Sequence, residues 1–448
     1  MPDSLPQSSV SADNPTGRAC GWRRLALLLA VALGIRIAAA VFWQAQVAGD
    51  RFVFGDSESY WTLARGIAAG EPFEYGRNGP RIFRTPGYPA LLAPLFLVFG
   101  GDPPVIAARC LSAVFSTIAV AGAWLLAWRL FGPAAAWLAG LAAASYPGLI
   151  ALGVLVLTEP VFCALLPLQL LLWSAAWQAG GQRRRLLLAL VAGLAAAAAT
   201  LVRPSWLLFV PFAAAIGLVF GRPRTRHALI AAGLIAGLIA GMLPWWLRNA
   251  RVAGHFVPTT LQMGASLYDG LNPQATGASD MAYVPHFIEI ERRAEASGEA
   301  NLEDPFEYRL DRRMRDAALA WARENPSKAL RLALVKFVRI WNVWPNEPAF
   351  STTIVRLAVA ATYLPLLLLG LAGAAWTARR GWPYALCWLP ALYLTLMHIV
   401  FVGSIRYREP AMIGLIVLAA GVAAAWGGRE NWPSAIGRDA GGGRAGWG

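Results

Sequence analysis

No Walker motif, no dinucleotide-binding glycine fingerprint and no internal repeat occurs in the 448 residues, which disfavours nucleotide chemistry and solenoid architectures. Cysteine is nearly absent. Cys20, Cys110, Cys163 and Cys387 stand far apart, in or beside apolar runs and without a C-x-x-C pair, so neither a disulfide framework nor a zinc site is indicated. The four histidines, His227, His255, His286 and His398, are equally scattered and lack H-E-x-x-H spacing, so the residues designate no metal site. Charge is scarce too, at 14% of residues against 57% hydrophobic, and a chain so composed is not divided into soluble domains by its length.

What is abundant is hydrocarbon. Apolar runs of about 20 residues recur along the chain, the mark of an all-α polytopic membrane protein. The net charge of +14 would suggest nucleic acid in a soluble protein. Here the arginines fall in short loops between apolar runs, where they orient the chain, and no nucleic-acid partner is read from them. Spans are expected at roughly 25–47, 104–130, 133–155, 159–178, 186–202, 204–220, 228–247, 353–376, 383–403 and 410–426, about ten in all. A cleaved signal peptide is the rival for the first run, but the apolar pattern resumes after Arg36 and reaches spanning length, favouring an anchor. With these spans, Arg183–Arg185, Arg222, Arg224 and Arg226, and Arg379 with Arg380 share one side, the cytoplasm. Both termini are then cytoplasmic, as polar tails over 1–17 and 427–448 that bury too little to fold. The membrane module runs over 18–247, an outer loop domain over 248–352 and C-terminal spans over 353–426. In the outer domain, the Gly- and Asn-rich stretch TTLQMGASLYDGLNPQATGASD reads as irregular loops. Helices follow at 305–324 and after Pro326, the second with Leu330, Leu334, Phe337 and Trp341 on one face, as for a helix lying on a membrane surface.

The first outer loop, 48–103, breaks the apolar pattern. It holds Asp50, Asp56, Glu58, Glu71 and Glu74 with Arg51, Arg65, Arg77, Arg81 and Arg84, and charge beside so much hydrocarbon needs a reason. Residues 57–69 read as a short helix stopped by Gly70. The piece 86–100 is too short to cross, carries Pro86, Pro89 and Pro94, and would reverse every later basic loop if it did; it reads as a juxtamembrane or re-entrant helix.

Five constellations could carry chemistry, all placed on the outer face. Asp56, expected as the N-cap of the short helix, is the first candidate general base, with Glu58 second. Arg84, in the rigid turn FRTPGYP, suits a phosphate whose lipid tail stays in the membrane. Glu159 stands beside Pro160 at a helix start, where capping competes with catalysis. Trp245 and Trp246 fit an interfacial aromatic belt next to Arg248 and Asn249. Arg406 and Tyr407 lie in the cluster Arg406–Glu409 between two late spans. Arg203 divides the apolar run 186–220 at the outer face, where snorkelling to head groups is the plain alternative. Outer arginines are few by the positive-inside rule, so Arg84, Arg203, Arg248 and Arg406 together suggest an anionic ligand such as a lipid phosphate. Tyr60, Tyr88 and Asn249 are candidates for positioning substrate.

The ordered set GDSESYWTLARGI, RTPGYPALLAPLF, LTEPVF, LVRPSW, PWWLRNARVAGHFVPTT and SIRYREP resembles the GT-C class of membrane glycosyltransferases, in particular the family 39-like group of protein O-mannosyltransferases and lipid A aminoarabinose transferases. The resemblance implies a GT-C-like module whose first outer loop carries two juxtamembrane helices, a sugar donor on a polyprenyl or dolichyl phosphate, and an essential first-loop acid, which by position is Asp56. Protein O-mannosyltransferases carry adjacent Asp-Glu there, whereas this chain has Asp56-Ser57-Glu58. Some GT-C enzymes use divalent cations; these residues alone commit to no cofactor. The implied partners are the lipid-linked donor, membrane lipids and an outer acceptor of unspecified chemistry. A transporter or lipid flippase is the alternative class, and it would place ionisable residues at mid-membrane in matching halves.

Overall fold

A computed structural model describes residues 15–47, 52, 54–76, 79–344 and 352–428. Asp50, Arg51 and Arg77 of the charged loop, and residues 1–14 and 429–448 of the tails expected over 1–17 and 427–448, lie outside them. The described residues contain helices and no strands. In the N-terminal half these are α1 (Pro15–Gln46), α2 (Gly55–Ala69), α3 (Gly87–Val98), α4 (Val105–Phe131), α5 (Pro133–Ser145), α6 (Pro147–Gly153), α7 (Glu159–Gln178), α8 (Gln182–Val202), α9 (Phe209–Phe220) and α10 (Arg224–Ala253). The segment between α10 and the next long apolar helix holds α11 (Met263–Gly270), α12 (Val284–Ala296), α13 (Phe306–Glu324) and α14 (Pro326–Trp341), and the chain continues through α15 (Thr353–Ala378), α16 (Ala385–Val400) and α17 (Glu409–Trp426).

Seven helices, α1, α4, α7, α8, α10, α15 and α17, are long and apolar enough to cross a membrane. The protein is therefore a multi-pass membrane protein. The pair α5–α6 makes an eighth span if its 55° bend is one crossing, while α3, α16 and the piece Pro204–Phe220 are shorter. Three sequence expectations need correction. Helix α1 already begins at Pro15, inside the expected N-terminal tail. The run 133–155 is broken rather than continuous, because Pro147 forces Tyr146 into extended backbone and ends α5. Within the stretch expected to be irregular, Met263–Gly270 forms α11, and α12 follows it unforeseen. These two helices form against α13, around Ala265, Phe287 and Met314, so tertiary packing overrides a loop-like composition.

The break at Pro147 frees carbonyls deep in the bundle, and Arg36 from the middle of α1 satisfies them. Its guanidinium donates to the oxygens of Ala144 (3.1 Å) and Ala143 (3.0 Å) and to Ser116 Oγ (2.8 Å), and the side chain has no exposed surface. Without such partners a charge at that depth would be costly. Helices α8 and α10 approach closely through small residues, Ala189, Gly193, Ala197, Gly233, Gly237 and Gly241, where backbones can nearly touch. Helix α17 lies in the middle of the bundle and α15 at its edge.

Basic loops gather at one end of this bundle. Arg226 lies over the Trp177 ring at 5.1 Å, His227 meets Trp382 at 5.1 Å, and Arg185 interacts electrostatically with Arg226. At the opposite end stand α2 and α3. Helix α2 stops where Gly70 turns left-handed (φ 70°) and its N–H caps Gly66 and Ile67. Helix α3, about 18 Å long, cannot cross a bilayer. It packs on α2 through Tyr60–Tyr88 (5.2 Å) and Trp61–Phe96 (4.9 Å).

Candidate functional site

Five segments far apart in sequence meet at this end: the start of α2, the turn before α3, the turns joining α6 to α7 and α8 to α9, and the turn Ile405–Tyr407 before α17. They contribute two carboxylates and three guanidiniums in one alternating chain. Arg84 Nη2 donates to Asp56 Oδ1 at 2.7 Å, and Arg406 Nη2 to Asp56 Oδ2 at 3.2 Å. Arg406 Nε then reaches Glu159 Oε1 at 3.5 Å, and Arg203 Nη1 closes on the same oxygen at 3.1 Å. The order is Arg84, Asp56, Arg406, Glu159, Arg203, a set with one positive charge in excess.

The arginines differ in how firmly they are held. Arg84 is engaged at three nitrogens, since Nε donates to Ser59 Oγ (3.0 Å) and Nη1 to Gln262 Oε1 (2.7 Å) besides the bond to Asp56. It also lies 4.9 Å over the Tyr60 ring. Arg203 donates to Thr158 Oγ1 (3.3 Å) and lies 5.1 Å over the Tyr407 ring. Arg406 has the longer contacts, to Asp56, to Glu159 and to the Tyr407 hydroxyl (3.1 Å). Tyr407 is itself stacked on His398 at 4.0 Å.

The electrostatics follow from the geometry. Burial pushes the Asp56 carboxyl up, but Arg84 and Arg406 beside it pull it below the ordinary carboxylate value of 3.8. Burial opposes the charge on Arg406, yet Tyr407, Glu159 and Asp56 hold it well above the usual arginine value. Asp56 is therefore ionised at neutral pH and remains about a third exposed, at 32% of its side chain.

The placement of Asp56 differs from the sequence expectation in one respect. The N-cap of α2 is Phe54 and makes no side-chain cap bond; Asp56 lies inside the first turn and is oriented by the two arginines instead. Glu58, two residues on, points outward and is exposed. Asp56, Glu159, Arg84, Arg203, Arg406, Tyr407 and Tyr60 come together, and Tyr88 supports Tyr60 from α3. Arg248 does not join them. It donates to the Phe73 carbonyl (3.0 Å) and to Asn249 Oδ1 (3.2 Å), while the Asn249 amide donates to the carbonyls of Val257 and Thr259. Trp245 and Trp246 likewise pin this loop, donating to Thr259 and Pro258, and Trp245 is buried rather than part of a lipid-facing belt.

Sequence reasoning missed Ser59 and Gln262, which hold Arg84, and Glu307, whose carboxylate accepts the backbone N–H groups of Arg81 (2.9 Å) and Ile82 (3.1 Å) and so docks α13 on the segment before α3. Their partners are up to 226 residues away, and no local pattern marks them. Among the described residues no group of three His, Cys, Asp or Glu is arranged to hold a metal ion. In the cluster, both Asp56 oxygens and Glu159 Oε1 accept guanidinium donors, while Glu159 Oε2 accepts the Thr158 hydroxyl.

Residues 83–247, which contain Arg84, Glu159 and Arg203, match the family model described as dolichyl-phosphate-mannose-protein mannosyltransferase. Among solved structures, the chain is similar to the archaeal oligosaccharyltransferase AglB from Archaeoglobus fulgidus in complex with an inhibitory peptide and a dolichol-phosphate. The TM-score is 0.54 at 15% identity, covering 93% of this chain and 51% of that one. The all-helical membrane fold is GT-C-like. An Archaeoglobus fulgidus oligosaccharyltransferase tethered with an acceptor peptide matches with TM-score 0.53 and 15% identity over 91% of this chain and 51% of that one. ArnT from Cupriavidus metallidurans bound to undecaprenyl phosphate matches with TM-score 0.46 and 16% identity over 92% and 78% of the two chains. The chain spans about half the length of the oligosaccharyltransferase structures. No curated protein matches its sequence.

Proposed function

We propose that the protein is a membrane glycosyltransferase that moves a sugar from a polyprenyl-phosphate carrier to an acceptor on the outer side of the membrane. The observation that carries this reading is the chain Arg84–Asp56–Arg406–Glu159–Arg203: a carboxylate suited to take a proton, set among guanidiniums suited to an anion. The matching family model and the likeness to an oligosaccharyltransferase solved with dolichol-phosphate support a lipid phosphate as that anion. The basic loops at the opposite end of the bundle support an outward-facing site with both termini in the cytoplasm.

The chemistry is a single inverting displacement. Asp56 accepts the proton of the acceptor hydroxyl or amine as its oxygen or nitrogen bonds to the anomeric carbon. The bond from that carbon to the phosphate oxygen breaks, and its electron pair leaves with the phosphate. Departure of an anion calls for positive charge rather than an acid, which Arg84, Arg203 and Arg406 supply. Both Asp56 oxygens are occupied at rest, so one arginine must give way as the acceptor arrives. Arg406, at 3.2 Å, is the looser of the two. Glu159 is the second carboxylate on the cluster, but it is 2% exposed and shared by Arg203 and Arg406. It serves to hold the arginines, not as the nucleophile that a retaining reaction would require. Glu58 and Arg248 have no part in the step.

Incubation of the purified protein with polyprenyl-phosphate-linked radiolabelled sugars tests the reading. We expect enzyme-dependent loss of sugar from one such carrier, and a drop of at least about a hundredfold in Asp56→Asn, the usual scale for a lost general base. Full activity in that variant, with an unchanged melting temperature, would remove Asp56 from the mechanism.

A further inference from the structure

The chain contains only two lysines, Lys328 and Lys336, and the second has no exposed surface. It projects from the inner face of α14, whose opposite face exposes Leu330, Leu334, Phe337 and Val338. Burying an ammonium is costly unless its protons find acceptors. Lys336 Nζ finds two, the carbonyls of Val400 (2.7 Å) and Gly270 (2.8 Å). Val400 ends α16, and its carbonyl begins the segment that carries Arg406.

Other bonds fix the same segment to the same helix and to the loop beside it. Arg339 Nε donates to the Gly403 carbonyl (3.2 Å), and Gly403 N–H donates to Gly277 (2.9 Å). Arg408 Nη1 donates to the carbonyls of Ile340 (3.1 Å) and Asn342 at the end of α14. The fit is close: a Cβ on Gly403 would come within 2.6 Å of the Lys336 carbonyl oxygen. Residues 400, 403 and 408 are thus tied to α14, and Arg406 stands between the ties, reaching out to Asp56 and Glu159.

We propose that Lys336 is a positioning residue that anchors the 400–408 segment on α14 and thereby sets where the Arg406 guanidinium stands between Asp56 and Glu159. This rests on the reading of Arg406 as an anion contact. Lys336 touches no carboxylate of the site and acts only through the backbone it holds. Burial lowers its pKa to about 8, with Asp269 opposing that shift, which agrees with a charge kept for its hydrogen bonds rather than for solvent.

A double-mutant cycle on the full-length protein tests this, with binding of undecaprenyl phosphate as the readout and melting temperature measured alongside. Arg406→Gln is expected to weaken binding about tenfold, and Lys336→Met to weaken it comparably in the wild-type background. In the Arg406→Gln background, Lys336→Met should change binding by less than about twofold, because the residue through which it acts is gone. Gly403→Ala, which alters no charge but forces the segment off α14, should repeat this pattern and replaces Lys336→Met should that variant fail to fold. Equal losses in both backgrounds, or no loss from Lys336→Met and Gly403→Ala, would overturn the positioning role. Unchanged binding in Arg406→Gln alone would instead overturn the anion reading of Arg406, and is distinguishable from the first failure.

Discussion

Asp56 carries a guanidinium on each oxygen, which makes it an available but weak base at neutral pH. Its folded value is depressed, so its ionised form persists as pH falls until below 3.8, and only then should the rate drop. Removing Arg406 takes away one stabilising cation and moves that acid limb upward; Glu159, Arg84, Tyr60 and Tyr407 remain as the other ionisable neighbours. A pH profile of kcat/KM in which Arg406→Gln shows the same acid limb as the wild type would contradict the coupling. The acid itself and its arginines were legible in the sequence, because charge is so rare in this chain that Asp56, Arg84, Arg203 and Arg406 stand out individually. Gln262, Ser59 and Lys336 were not, since each is defined by a partner folded onto it from elsewhere.

At the scale of elements, the turn Pro86–Gly87 connects two parts of the site. Gly87 abuts α8, so a Cβ there would lie 2.6 Å from the Leu201 carbonyl oxygen and 2.9 Å from Val202 N, immediately before Arg203. Backbone cannot retreat as a side chain can, so Gly87→Val should cost roughly 1–3 kcal/mol and shift the melting temperature accordingly. It should also separate Arg84 from Arg203 and weaken undecaprenyl phosphate binding; wild-type stability and binding would show the contact to be slack. Helix positions were readable wherever apolar runs met proline or glycine boundaries, as for α2 with Gly70 and for α7 with Pro160. They were unreadable for α11 and α12, whose amphipathic faces are short and gain meaning only against α13.

For the whole molecule, the bundle has a basic end and an end that carries the carboxylate–guanidinium cluster, and by the positive-inside rule the basic end is expected in the cytoplasm. In a background free of the native cysteines, Glu303→Cys should react with an impermeant maleimide from outside intact cells, and Arg224→Cys only after the membrane is opened. Both positions are exposed, so the opposite pattern would invert the topology. The number of crossings was less legible than their arrangement, because breaks such as Tyr146–Pro147 arise inside runs that read as continuous hydrocarbon.

The bond between Arg36 and the carbonyls freed at that break also bears on how the chain is made. Emerging from the ribosome, α1 brings an arginine to the bilayer centre about a hundred residues before Ala143 and Ala144 exist to receive it. A lone central arginine disfavours insertion by about 2.5–3.5 kcal/mol, so α1 should linger at the translocon until α5 arrives and the two enter as a pair. Chains truncated after α1 should accordingly insert less efficiently than the same chains with Arg36→Leu, and the difference should vanish once the nascent chain extends beyond α6. Biogenesis would then proceed by a delayed handover, timed by one arginine and one proline.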